Sequence, residues 1–140
     1  MANWYGVWRT NYVKLRADRI DALRNFEVTL AAGGDNTWAI LSESEGGEPY
    51  CYETPEDLPE WLREYLVNDD YLNLMDCLHE FLEDGEVIVI ESSGAEKLRY
   101  VTGYSMAIHS SGKSIMINIQ DIYEKAKKEF GVSEISQACY

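Results

Sequence analysis

The chain reads as an α+β domain with a mainly antiparallel sheet and helices packed on one face. Three features predict this: short alternating segments joined by tight turns, two helical patterns gathered in the middle of the chain, and a third at the end. Asn11–Arg16 alternates, with Val13 and Leu15 on one side and Lys14 and Arg16 on the other, and reads as a half-buried strand. Asp18–Phe26 places Ile20, Leu23 and Phe26 at helical spacing, with Asp18 where the helix dipole favours an anion. Glu27–Ala32 and Thr37–Ser42 read as strands around the turn Gly33-Gly34-Asp35-Asn36, and Pro49–Glu53 as a further short strand.

The middle of the chain predicts two helices. Asp57 with Glu60 fits a capping box, Pro59 suits a first turn, and Trp61, Leu62, Tyr65 and Leu66 form an apolar stripe. Asn68-Asp69-Asp70 interrupts, and Tyr71–Glu83 forms the second helix with Leu74, Met75, Leu78 and Leu82 inward, ended by Gly85. The β-branched run Val87–Ile90 predicts a central strand covered on both faces. Arg99–His109 and Ser114–Ile119 read as a hairpin, with Gly103 marking a bulge or a close backbone approach. Gln120–Phe130 closes the order as a helix with Ile122, Tyr123, Ala126 and Phe130 inward and Gly131 as its cap. The predicted order is β-α-β-β-(β)-α-α-β-β-β-α within a single domain spanning 1–140.

Charge is the most informative property. The net charge is −13, from 12 basic and 25 acidic residues. Glu43–Glu86 holds 15 of the acids and one base, Arg63, a local balance of −14, so the rest of the chain is close to neutral at +1. Such a segment repels nucleic acid and membrane phosphates and favours a basic partner. No apolar run approaches the roughly 20 residues of a membrane span. The start lacks the basic and apolar regions of a signal peptide, and Cys51, Cys77 and Cys139 are an odd, scattered set. Together these predict a cytoplasmic protein with free thiols.

Glu56, Asp57, Glu60 and Glu64, then Asp76, Glu80, Glu83 and Asp84, recur at helical spacing, which stacks like charges on one face at a small energetic cost. An ordinary solvated face intersperses lysines, as the final helix does with Lys125, Lys127 and Lys128. A row of carboxylates imitates phosphates and suits the basic channel of a nucleic-acid-binding protein. The predicted partner-binding residues are therefore Glu56, Asp57, Glu60, Glu64, Asp69, Asp70, Asp76, Glu80 and Glu83. The same row reads, more plainly, as a solubility face.

Other chemistry has less support. Asp76, His79, Glu80 and Glu83 share a helical face but lack the spacing of a metal motif, and no metal or other cofactor is expected. Cys77 reads as a small core residue, whereas Cys51 between Tyr50 and Tyr52 reads as one that could reach the surface. No nucleophile-elbow, phosphate-loop or dinucleotide motif occurs, which leans away from an enzyme. Trp4, Tyr5 and Trp8 form either an aromatic recognition patch or the cover of the first strand. Residues 1–24 carry +3, which would complement the acidic segment of the same chain or of a second copy, so the chain is expected as a monomer or homodimer.

Asn3-Trp4-Tyr5-Gly6 with Arg9-Thr10-Asn11-Tyr12, and the run Gly94-Ala95-Glu96-Lys97-Leu98-Arg99-Tyr100-Val101-Thr102-Gly103, resemble small uncharacterised acidic proteins of phages and plasmids. That resemblance implies a setting in which acidic proteins inhibit host defence as anti-CRISPR or antirestriction proteins, some by DNA mimicry. The expected function is thus a non-enzymatic acidic inhibitor that engages a basic, nucleic-acid-binding protein surface, without contact to nucleic acid or membrane. The alternatives are a toxin-neutralising immunity protein and a small enzyme or ligand-binding domain.

Overall fold

A computed structural model describes residues 4–44, 47–97 and 100–138. Its main feature is a six-stranded antiparallel sheet with a few short helices, an α+β arrangement. The strands are β1 (Trp4–Thr10), β2 (Val28–Ala32), β3 (Trp38–Ser42), β6 (Val87–Glu96), β7 (Tyr100–His109) and β8 (Ser114–Asn118), in the spatial order β2-β3-β1-β6-β7-β8. A separate two-stranded ladder pairs β4 (Tyr50–Cys51) with β5 (Leu72–Asn73).

The register shows how the sheet divides its residues. Trp8 lies opposite Ser92, Thr10 opposite Ile90, and Ile88 opposite Ile108, so these side chains share one face. Val7, Ser93, Gly103, Ser105 and Ile117 fall on the other. On the first face Trp8, Ile40, Ile88, Ile90 and Ile108 join one core with Leu23, Phe26, Leu62, Leu74, Leu78 and Phe81 from the connecting segments. Thr10 is buried there because its hydroxyl is satisfied at both ends, donating to the Asn11 carbonyl at 2.8 Å and accepting from the Ile40 amide at 2.9 Å.

Several expectations meet a different outcome. The aromatic start is itself β1, a strand in the interior of the sheet, whereas 11–16 contributes only isolated bridges, Val13 to Trp38 and Leu15 to Leu82. Val13 and Leu15 are nevertheless buried, as their alternation requires. Asp18–Phe26 shortens to a 3-10 helix over Ile20–Asn25. The two acidic helices shrink to α1 (Glu60–Arg63) and α2 (Leu74–Cys77), with 3-10 turns at Pro55–Asp57 and Leu78–Phe81.

The reasons are local. Pro59, not Asp57, caps α1, and it offers no side-chain hydrogen bond. Asn68 and Asp69 both take positive φ, 53° and 55°, which turns the chain back so that Tyr71 bridges Val67 and Leu72 enters a strand. Asn73 then caps α2 by accepting from the Met75 amide at 3.0 Å. At Cys77 the backbone leaves helical values (φ −116°, ψ 2°), and the 3-10 turn begins.

The turn at Asp35-Asn36 and the β7–β8 hairpin follow expectation, although Arg99 at the hairpin's predicted start lies outside the described residues. β6 is central, but it is covered on one face only: Ile88 and Ile90 are fully buried while Val87 is 44% exposed. Gly103 continues the ladder without a bulge. Its place is a close approach, since a Cβ there would sit 3.2 Å from the Ser92 carbonyl oxygen. Finally, α3 (Asp121–Phe130) forms and ends at Gly131 as predicted, yet none of its residues is buried. Among the described residues no helix is long and apolar enough to cross a membrane.

Candidate functional site: an acidic layer over the sheet

The acidic residues lie in the segment that covers the core face. Leu58, Leu62, Leu72, Leu74, Cys77, Leu78, Phe81 and Leu82 of this layer point inward, which leaves the intervening carboxylates outside. Glu56, Asp57, Glu60, Glu64, Asp69, Asp70, Asp76 and Glu83 are all exposed, and among the described residues none forms an ion pair with a lysine or arginine. They sit on several short turns and two one-turn helices, so the regular row expected from helical spacing is replaced by carboxylates spread over an irregular layer.

Glu80 differs from the other eight. Its carboxylate accepts a 2.9 Å hydrogen bond from the Arg19 guanidinium, which also donates to the Glu80 carbonyl at 2.9 Å and stacks over the Trp61 ring at 4.4 Å. The second carboxylate oxygen lies 3.5 Å from His79 Nε2, and that nitrogen is 3.1 Å from the Tyr65 hydroxyl. Burial, followed by the charges of Glu80 and Glu64, pushes the Tyr65 hydroxyl up to about 12. Arg19 and Glu80 thus fasten the acidic layer to the basic N-terminal segment of the same chain. One of the nine predicted partner contacts is engaged internally.

Aromatic residues flank the carboxylates. Tyr50, Tyr52 and Tyr71 gather with ring centroids 5.9, 6.0 and 6.5 Å apart, and Tyr52 is exposed. Glu48, beside them, accepts from the Tyr104 hydroxyl at 2.9 Å and from Asn73 Nδ2 at 3.3 Å. Of these groups, Glu48, Tyr50 and Tyr104 line a cleft of about 420 Å³ together with Gly6, Ser92 and Gly94. Sequence reasoning missed Glu48, Tyr71 and Tyr104. Their one visible signal was tyrosine density around Pro49–Glu53, and the partners lie up to 56 positions away.

The aromatic start divides. Trp8 is core, its indole N–H buried without a hydrogen-bond partner among the described residues, whereas Tyr5 is 70% exposed on the opposite face. The Trp4 side chain lies outside the described part of the structure. Trp8 and Tyr5 therefore make no common patch.

Cys51 is buried, against expectation, because it faces inward from β4. Desolvation, then the Glu53 charge, pushes its thiol up to about 11. Cys77 is a core residue as expected, with desolvation and then Asp76 pushing it up to about 12. Cys139 lies outside the described residues. His109 Nδ1 pairs with the Ser111 hydroxyl at 2.8 Å within its hairpin turn. Among the described residues no three His, Cys, Asp or Glu side chains gather as metal ligands, and Asp76, His79, Glu80 and Glu83 do not assemble a site.

These raised values make an alkaline prediction. Cys51 and Cys77 keep their protons to about 11 and about 12 in the fold, against 9.0 ordinarily, and Tyr65 and Tyr104 to about 12 against 10.0. The unfolded chain therefore releases these protons first. Their contribution to stability is complete below pH 9.0 and is lost progressively as pH rises towards 12. The urea midpoint is expected to fall between about pH 8 and about pH 10.5. An unchanged midpoint would contradict the buried-thiol geometry.

Fold and site together define a class: an α+β protein whose sheet carries an acidic, tyrosine-flanked layer on one face and an open apolar surface on the other. No protein-family model, curated protein or solved structure matches the chain.

Proposed function

We propose that this protein is a non-enzymatic inhibitor that binds a basic, nucleic-acid-binding protein surface through its acidic layer, in the manner of anti-CRISPR and antirestriction DNA mimics. The observation that carries the reading is the outward display of Glu56, Asp57, Glu60, Glu64, Asp69, Asp70, Asp76 and Glu83, none of which pairs with a lysine or arginine among the described residues. Carboxylates left unpaired repel one another, and that repulsion is relieved when a basic surface docks. Tyr52 and its neighbours add the aromatic contacts that concentrate binding energy at interfaces. A mobile-element setting, expected from the N-terminal and Gly94–Gly103 segments, is part of the same proposal.

Capture from bacterial lysate tests the proposal. The tagged protein is expected to retain a basic nuclease or other nucleic-acid-binding complex at low salt and to release it at high salt, because the contacts are ionic and screened. Retention of one dedicated toxin with no nucleic-acid-binding surface would favour the immunity-protein alternative. Capture that is indifferent to salt would remove the charge-based reading altogether.

A further inference from the structure

β8 closes one edge of the large sheet, and all five of its residues are exposed. The His109 amide donates to the Lys113 carbonyl at 2.8 Å, and the Ile119 amide to Gly103 at 3.0 Å. Antiparallel alternation therefore directs the backbone groups of the odd-numbered β8 residues towards β7 and those of Ser114 and Met116 away from the sheet. The Asn118 amide is already taken by the Asp121 carboxylate at 2.8 Å. The strand thus offers a short, defined set of free donors and acceptors.

Its side chains are as open as its backbone. Ile115 and Ile117 are 77% and 65% exposed on the outer face, and Met116 is 51% exposed on the other. Natural sheet edges are blunted by Lys, Pro or bulges, and Ser114–Asn118 contains none of these. α3 follows directly. It is amphipathic and ten residues long, too short to persist in water by propensity alone, yet Ile122 and Phe130 are 60% and 73% exposed. Edge and helix make one contiguous stretch of chain that no other described residue covers.

We infer that the cover is a second copy of this chain, with β8 pairing antiparallel to its counterpart about a two-fold axis and the apolar side of α3 buried between the copies. Antiparallel pairing of a strand with itself is closed by a two-fold operation, so the same free groups serve both sides. Charge also selects a second copy. Residues 100–138 contain four lysines and four acids and are neutral in sum, while Glu56, Asp57, Glu60, Glu64, Asp69, Asp70, Asp76 and Glu83 lie outward on the layer over the core face. Two such chains meet without bringing their acidic layers together, and a basic partner finds no countercharge on β8. Val101, Ile115, Met116, Ile117, Ile122 and Phe130 at half to three-quarters exposure present on the order of 500 Å² of apolar surface. That is more than half of the roughly 800 Å² per partner of a stable interface, before the β8 backbone is counted.

Sedimentation equilibrium of the full chain at micromolar concentration tests the inference. The expected mass is twice the 16.0 kDa of one chain. Ile115→Lys with Ile117→Lys is expected to weaken the dimer about 30-fold or more. Far-UV circular dichroism should not change, because both side chains are exposed in the single chain. Ile122→Glu with Phe130→Glu, on the helix, is expected to weaken it independently. A wild-type chain that stays monomeric throughout would overturn the inference, as would a dimer that both variants leave intact.

Discussion

Phe81→Ala is expected to destabilise the protein by about 3–5 kcal/mol, the scale of deleting a fully buried aromatic ring. Phe81 is completely buried and meets two aromatic neighbours edge-on, Phe26 at 6.4 Å and Trp61 at 5.1 Å. Its carbonyl also accepts from the Arg16 amide at 2.8 Å. The ring therefore joins three separate pieces: the 3-10 helix after residue 19, α1, and the end of the acidic layer. Against a typical total stability of about 5–15 kcal/mol, its loss consumes a large fraction. Urea unfolding monitored by tryptophan fluorescence measures it. A loss below about 1 kcal/mol would mean that the layer is not packed on the sheet as described.

The second large effect is on binding. Reversing Glu60, Glu64 and Glu83 to lysine changes the net charge from −13 to −7, since each reversal adds two units. All three side chains are exposed and none is paired with a lysine or arginine among the described residues, so the fold is expected to survive. At up to about 1 kcal/mol for each exposed charge contact, affinity for the captured basic partner should fall roughly 30- to 100-fold. The salt dependence of the remaining binding should flatten with it. Glu80 is left out deliberately: lysine there would face Arg19 at the site of a 2.9 Å ion pair and would confuse unfolding with lost recognition. Wild-type affinity in the folded triple variant would end the acidic-decoy reading.

The two effects are linked through one architectural fact. The acidic layer has little regular structure of its own, and its longest helix is one turn. Its shape is held by inward residues such as Leu62, Leu74 and Phe81 and by the Arg19–Glu80 pair. A mutation that loosens the inside therefore rearranges the carboxylates on the outside, even though it touches none of them. Binding assays on core variants need a parallel stability measurement for this reason.

Residues 57–66 and 71–83 form one-turn helices, 3-10 turns and a short strand in place of two long helices. Leucines at spacings of three and four are produced equally by one-turn helices and 3-10 turns strung together, provided each leucine finds the same core. Asn68 and Asp69 announced a break, but their positive φ values, which turn Tyr71 and Leu72 into extended pairing, depend on the partner strand β4 being present. The inward prediction for Ile122 and Phe130 failed for a different reason. Amphipathicity states that a helix has an apolar side and is silent on which molecule supplies the opposing surface.

Properties carried by near neighbours are legible in the residues alone. The charge imbalance of Glu43–Glu86, the turn at Asp35-Asn36, the β7–β8 hairpin, the end of α3 at Gly131 and the inward alternation of Val13 and Leu15 all follow from residue type and spacing. Tertiary structure alone decided the pairings across long separations: β1 between β3 and β6, Arg19 against Glu80, and Glu48 against Tyr104. It also decided that one face of the sheet is covered and the other left open. The physical reason is that hydrogen-bond capacity and hydrophobicity belong to each residue, whereas the choice of partner depends on which of many equivalent partners the whole chain can satisfy at once.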